Sequence, residues 1–189
     1  MACRKKLNLV VDNSPEQLEL DLGPSGGNVP TVLAFDPGRT TGFVSAYVSN
    51  VIKVHETKEI TALGDIRDII TDVFVARNSQ ANSNTYSSKV GSRGPIHVVC
   101  ESFLYRHNLP KVDLSPVEVI GVIRLVCDDL NLPLKFQTPS QAKRFWTTDK
   151  LKREGLYHIG SPHIRDATRH LLHYSVFTLR TYKPLKPTS

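Results

Sequence analysis

Cysteine is scarce in this chain of 189 residues, which holds only Cys3, Cys100 and Cys127. The number is odd, the spacings are wide and no Cys-x-x-Cys pair occurs, which argues against a disulfide scaffold and against a zinc knuckle. A secretory hydrophobic segment is missing from the start of the sequence. Also missing is an apolar run of roughly 20 residues, the length that a membrane span needs. The longest such stretch, 117–127, is interrupted by Glu118 and Arg124. No internal repeat is present. These absences point to a soluble protein of a reducing cytoplasm with no membrane partner.

What is there suffices for one packed domain, since 40% of the residues are hydrophobic. The formal net charge is +6, and its placement says more than its size. Residues 139–189 carry ten Lys and Arg against Asp149, Glu154 and Asp166, whereas 1–138 carry 14 basic and 15 acidic residues. A polyanionic partner is therefore expected beside the C-terminal part of the domain.

Residues 1–30 open with Arg4-Lys5-Lys6 and close in a Gly- and Pro-rich stretch, which reads as a flexible arm. TVLAF at 31–35 is a short β run that ends at Asp36-Pro37-Gly38, where proline cannot extend a ladder and glycine permits a turn. Extended character resumes at 41–48 and 51–60, giving three strands in an antiparallel meander. Ile66, Ile69, Ile70, Val73 and Phe74 recur at helical spacing, and the polar stretch 77–95 reads as a flexible insertion. IHVVC at 96–100 is a second compact β run, ending at Glu101. Ser115, as N-cap, with Pro116 and Glu118 starts a helix that runs to about Leu130. LKFQ at 134–137 is a short strand, Thr138 opens a helix through Trp146, and Ser161-Pro162 opens the last helix. The later alternation of strand and helix is that of an α/β sheet.

Two β runs thus deliver a carboxylate at their C-terminal ends, Asp36 and Glu101. In open α/β sheets such ends frame the ligand crevice. The plain alternative is that Asp36 caps a turn and Glu101 is a solvated loop acid. His163 and Asp166 add weight, because three residues apart on a helix they share a face. Three carboxylates and an imidazole match the ligand preferences of Mg²⁺ or Mn²⁺, with Asp36 as the natural bridging ligand. Two such ions roughly 4 Å apart would promote phosphodiester hydrolysis.

The segment Leu33-Ala34-Phe35-Asp36-Pro37-Gly38 with Thr41-Gly42 resembles the first-strand motif of RuvC-type Holliday junction resolvases of the RNase H-like superfamily. Cys100-Glu101 followed by Phe103 is similar to the family's second acidic strand end, and 138–143 to the segment before its penultimate helix. His163-x-x-Asp166-Ala167 is similar to its C-terminal acidic helix. The resemblance implies a mixed five-stranded sheet, three strands antiparallel and then two parallel, flanked by helices, over residues 31–178, with 179–189 as a basic tail. It implies Asp36, Glu101, His163 and Asp166 as metal-binding residues for a pair of Mg²⁺ or Mn²⁺ ions, and Lys143 as a lysine near the scissile phosphate. Phe103 and Tyr105 fall near an aromatic that stacks on bases at an opened junction, although Leu104 occupies the expected spacing from the glutamate. The arm and the insertion depart from the compact pattern and resemble divergent versions found in bacteriophage genomes.

The expected activity is that of a crossover junction endodeoxyribonuclease, acting as a homodimer on four-way or other branched DNA without a small-molecule cofactor. Two alternatives stand beside it: a catalytically silent RNase H-like DNA-binding module, and a ribonuclease acting on RNA–DNA hybrids. Lys143, Arg144, Lys150, Lys152 and Arg153 are expected phosphate contacts, and the last three are open to the plainer reading of a solvated face. Arg165 and Arg169 could reach phosphate or balance Asp166. His170 and His173 are expected at the surface or an interface, His97 packed on a strand face, and Phe145 and Trp146 in the core.

Overall fold

The fold is described from a computed structural model, in which residues 29–81, 94–105, 112–157 and 159–185 are defined. The expected arm up to 28, most of the insertion (82–93), Cys3, His107 and residues 186–189 lie outside them.

In β1 (Thr31–Asp36) the pleat sends Val32 and Ala34 to one face and Leu33 and Phe35 to the other, and all four are buried. A strand covered on both faces is a continuous apolar run, and its place is the centre of a sheet. Five strands are ordered β3-β2-β1-β4-β5. β2 (Thr41–Val48) and β3 (Ile52–Ile60) complete the antiparallel meander, while β4 (Ile96–Glu101) and β5 (Leu134–Gln137) add parallel strands on the other side of β1. The mixed sheet expected from the sequence is the one observed.

Two helical layers cover it. α1 (Leu63–Ala81) and α2 (Ser115–Asp129) press Ile66, Ile70, Val119 and Ile123 against Leu33, Phe35 and Phe43. On the opposite face α5 (Pro162–Phe177) packs Ile164, Ala167 and Leu171 onto Val32, Ala34, Val44 and Val99. The short helices α3 (Pro139–Phe145) and α4 (Thr148–Arg153) bring Trp146 and Leu151 into that same core, as expected for the tryptophan. Among the described residues no helix is long and apolar enough to cross a membrane.

The structure departs from the sequence reading at four places. α1 continues to Ala81, into the stretch expected to be flexible. Arg77 anchors this extension by donating to Thr31 Oγ1 at 2.9 Å, a long-range contact that composition does not reveal. Ser115 is the first residue of α2 rather than its cap, and Asp113 Oδ1 accepts from its backbone N–H at 3.0 Å and from its hydroxyl at 2.6 Å. The run containing Lys150, Lys152 and Arg153 forms α4, which Thr147 caps by accepting from Lys150 N–H. Residues 179–185 lie along the body, and Tyr182 is buried and donates its hydroxyl to Glu154. The buried thiols of Cys100 and Cys127 are free. Burial pushes Cys127 up to about 12 and Cys100 well above its ordinary value, so neither is a nucleophile near neutral pH.

Candidate functional site

Pleat parity places the first two acids. Asp36 continues the Val32, Ala34 series of β1, and Glu101 continues the His97, Val99 series of β4, so both lie on the α5 side of the sheet. β1 and β4 are parallel neighbours with Phe35 paired to Cys100. The residue after each is its carboxylate, at the strand ends where a crevice opens.

α5 brings the other two. Ser161 caps the helix, with its Oγ accepting from Ile164 N–H at 3.4 Å, and Pro162 supplies a first-turn residue whose missing N–H costs nothing. The start of α5 rests directly on β2 at Gly42: a Cβ there would lie 2.1 Å from the carbonyl oxygen of His163. This backbone contact brings His163 Nδ1 to 3.5 Å from Asp36 Oδ2. One turn on, Asp166 Oδ2 accepts from Lys143 Nζ at 2.9 Å, and the same ammonium is 3.9 Å from Glu101 Oε2. The expected residues Asp36, Glu101, Lys143, His163 and Asp166 therefore meet in one cluster.

Its charges act on one another at close range. Burial, then the fields of Glu101 and Asp166, raise the Asp36 carboxyl to about 6, with Lys143 and His170 opposing. Burial works against the charge of Lys143, but its hydrogen bond to Asp166 and the three surrounding carboxylates outweigh it and move its pKa upward. Arg169 donates to Asp166 Oδ1, to the carbonyl of Trp146 at 3.0 Å and to Thr148 Oγ1 at 3.4 Å. Of its two expected roles, the geometry shows the balancing of Asp166. Arg165 instead donates to the carbonyl of Gly160 at 2.8 Å. Among the described residues no three His, Cys, Asp or Glu side chains stand at metal-ligand spacing with these contacts in place. The donor chemistry nevertheless suits a hard cation, with three carboxylates and an imidazole around one crevice.

One further member of the cluster is a correction to the sequence reading. His170, expected at the surface or an interface, is 0% exposed. Its Nε2 lies 2.8 Å from Glu101 Oε2 and its Nδ1 lies 2.9 Å from Gln137 Oε1. The cause is tertiary, since α5 turns this position under Asp166 and into the sheet. A signal does exist in Gln137, a polar residue ending a β run in the way that Asp36 and Glu101 do. His173 is also no free surface residue, for it is half-buried and stacks on Phe177 with ring centroids 4.6 Å apart. His97 is packed as expected, with Nδ1 at 3.1 Å from the Tyr174 hydroxyl.

The outlying expected contacts differ in character. Phe103 lines a groove with Pro37, Glu101, Ser102, Pro116 and Pro139, while Tyr105 is 59% exposed. Arg144 is exposed on α3. Lys150 donates to the carbonyl of Phe145 at 2.7 Å and lies over that ring, and Lys152 lies over Tyr157. Arg153 is half-buried.

No protein-family model matches the chain, and no curated protein matches it. Among solved structures it is similar to RuvC of Thermus thermophilus, with a TM-score of 0.56 at 17% identity over 82% of this chain and 99% of that one. It is also similar to Thermus thermophilus RuvC in complex with a Holliday junction substrate, with a TM-score of 0.58 at 18% identity and the same two coverages, 82% and 99%. The likeness establishes a RuvC-like, RNase H-like fold over most of the chain.

Proposed function

We propose that this chain is a metal-dependent, structure-selective endodeoxyribonuclease that resolves Holliday junctions or other branched DNA, working in a cytoplasm. One observation carries the reading: Asp36 and Glu101 end adjacent parallel strands on the face to which α5 brings His163 and Asp166. The similarity to a RuvC in complex with a Holliday junction substrate supports it.

Asp36, Glu101, His163 and Asp166 would hold the cations, two Mg²⁺ or Mn²⁺ per site. The raised pKa of Asp36 supports the fit, because a buried carboxyl crowded by two like charges is relieved by a divalent ion. When bound, such ions supply an activated water and stabilise the leaving oxygen of a phosphodiester displacement. The protein's own residues do the remainder. Asp36 must be ionised to bind, so protons compete with the cation and binding weakens as pH falls. Lys143, with its side chain 44% exposed, turns from Asp166 to a phosphate oxygen and offsets the charge growing there. His163 either ligates or positions the attacking water. Phe103 and Tyr105 stack on bases opened at the branch, and Arg144, Lys150, Lys152 and Arg153 contact phosphates. Two symmetric nicks require two sites facing one substrate, hence a homodimer. The main apolar face of α2 is buried against the sheet, so the surface we propose for it is the exposed stripe Leu114, Val117 and Leu125.

The test offers a mobile four-way junction, a replication fork, an RNA–DNA hybrid and a linear duplex, each with Mg²⁺, Mn²⁺ or EDTA. Paired nicks in the junction that depend on metal are expected, with Asp36→Asn binding the junction but leaving it whole. Cleavage of the hybrid alone indicates a ribonuclease, and binding without cleavage in every arm indicates a silent module. Full cleavage by Asp36→Asn overturns the site.

A further inference from the structure

Glu101 reaches into the crevice on a flexible side chain, and something must aim it. The Nε2–H of His170 donates to its Oε2 at 2.8 Å. The ring is held from behind by the Gln137 carboxamide at 2.9 Å, and Gln137 stands in register with Glu101 on the neighbouring strand. Three elements, β4, β5 and α5, thus meet in one chain of side chains. Both supporting groups are deeply buried, His170 at 0% and Gln137 at 4% exposure. Buried polar groups are tolerated only when hydrogen-bonded, and apolar side chains would fill the same space with less risk. The surrounding α5 positions Ala167, Leu171 and Leu172 are indeed apolar. What the polar pair accomplishes that an apolar pair would not is to fix the direction of one carboxylate oxygen.

We propose that His170 is a positioning residue that orients Glu101 toward a divalent cation, with Gln137 fixing the ring; the proposal rests on the metal reading of the site. Partners that hold a ligating carboxylate in place typically change metal affinity by about 10–100-fold when removed. Arg169 and Lys143 perform the analogous task on Asp166 from partly exposed positions, whereas His170 and Gln137 are buried.

The test measures Mn²⁺ binding to the full chain by titration calorimetry for wild type, His170→Leu, His170→Gln and Gln137→Leu, with thermal unfolding of each in EDTA. His170→Leu is expected to lose about tenfold or more in Mn²⁺ affinity. His170→Gln, which returns an N–H donor facing Glu101, is expected to recover most of that loss, and junction cleavage should follow the same order. If His170→Leu does not fold, Gln137→Leu carries the comparison, with a severalfold loss expected because the ring is released. Wild-type affinity in the folded leucine variant overturns the positioning role. So does a loss in His170→Leu that His170→Gln fails to recover, since that assigns the histidine to packing alone. A wild-type chain that binds no Mn²⁺ overturns the metal reading, and the positioning role falls with it.

Discussion

At the scale of single residues, Asp36 is the sharpest probe. Its carboxyl is raised from the usual 3.8 to about 6 by burial and by two neighbouring carboxylates. An acid that holds its proton more tightly in the folded state does not penalise folding below about pH 4, where both states are protonated. As pH rises through 6 the native protein must ionise it, and stability is lost. Asp36→Asn removes that penalty. Without metal at pH 7 the variant should be more stable than wild type, by up to about 3 kcal/mol, and the difference should vanish below pH 4; thermal unfolding across this range checks it. On the proposed metal site, added Mg²⁺ should narrow or reverse the difference, because the variant lacks one of the four ligands. Asp36 and Glu101 are legible in the sequence because each ends an apolar β run. His170 is not, since its neighbours read simply as helix and its partner Gln137 lies 33 residues away. Burial of that kind is decided by packing and leaves little local trace.

Among the elements, α5 is decisive because it carries His163, Asp166 and His170. It lies against β2 at Gly42, where a Cβ would fall 2.1 Å from the His163 carbonyl oxygen. Backbone cannot give way there as a flexible side chain could. Gly42→Ala should cost about 1–3 kcal/mol by overpacking. It should also lower cleavage under conditions where the variant is still fully folded, since the displaced turn moves His163 and Asp166 away from Asp36. Denaturant titration beside a cleavage assay separates the two losses, and a variant with wild-type cleavage would show that this contact does not set the site. The Thr41-Gly42 pair noted in the sequence thus has a steric meaning. The strands are readable from their β runs, and the long helices from their periodicity. The six-residue α4 is not, because it spans too few turns to show a period, and the end of α1 is not, because its polar residues look like loop until Arg77 finds Thr31.

For the whole molecule, charge and surface make the predictions. Residues 139–189 carry ten basic against three acidic residues and include Lys143 and Arg169, which pair with the acidic cluster, so DNA binding should weaken steeply with salt. Neutralising Lys150, Lys152 and Arg153 together should flatten that slope by about one unit for each phosphate they would otherwise neutralise. Because Lys150 and Lys152 already lie over aromatic rings, an unchanged slope would identify them as packing residues. The α2 stripe makes a separate prediction through Gly121, which is exposed mid-helix with open space around its Cβ position. Alanine there should stabilise the helix by about 1 kcal/mol, yet weaken a dimer built on close approach of two helices; light scattering and unfolding measure both. The strap formed by residues 179–185 ties back to the C-cap of α4. Glu154 is buried and accepts from Tyr182 and from Leu185 N–H, so a chain lacking those residues would leave its buried carboxyl without these two donors. Truncation after Thr178 should therefore loosen the layer that carries His163 and Asp166, which thermal unfolding would show as a lower midpoint.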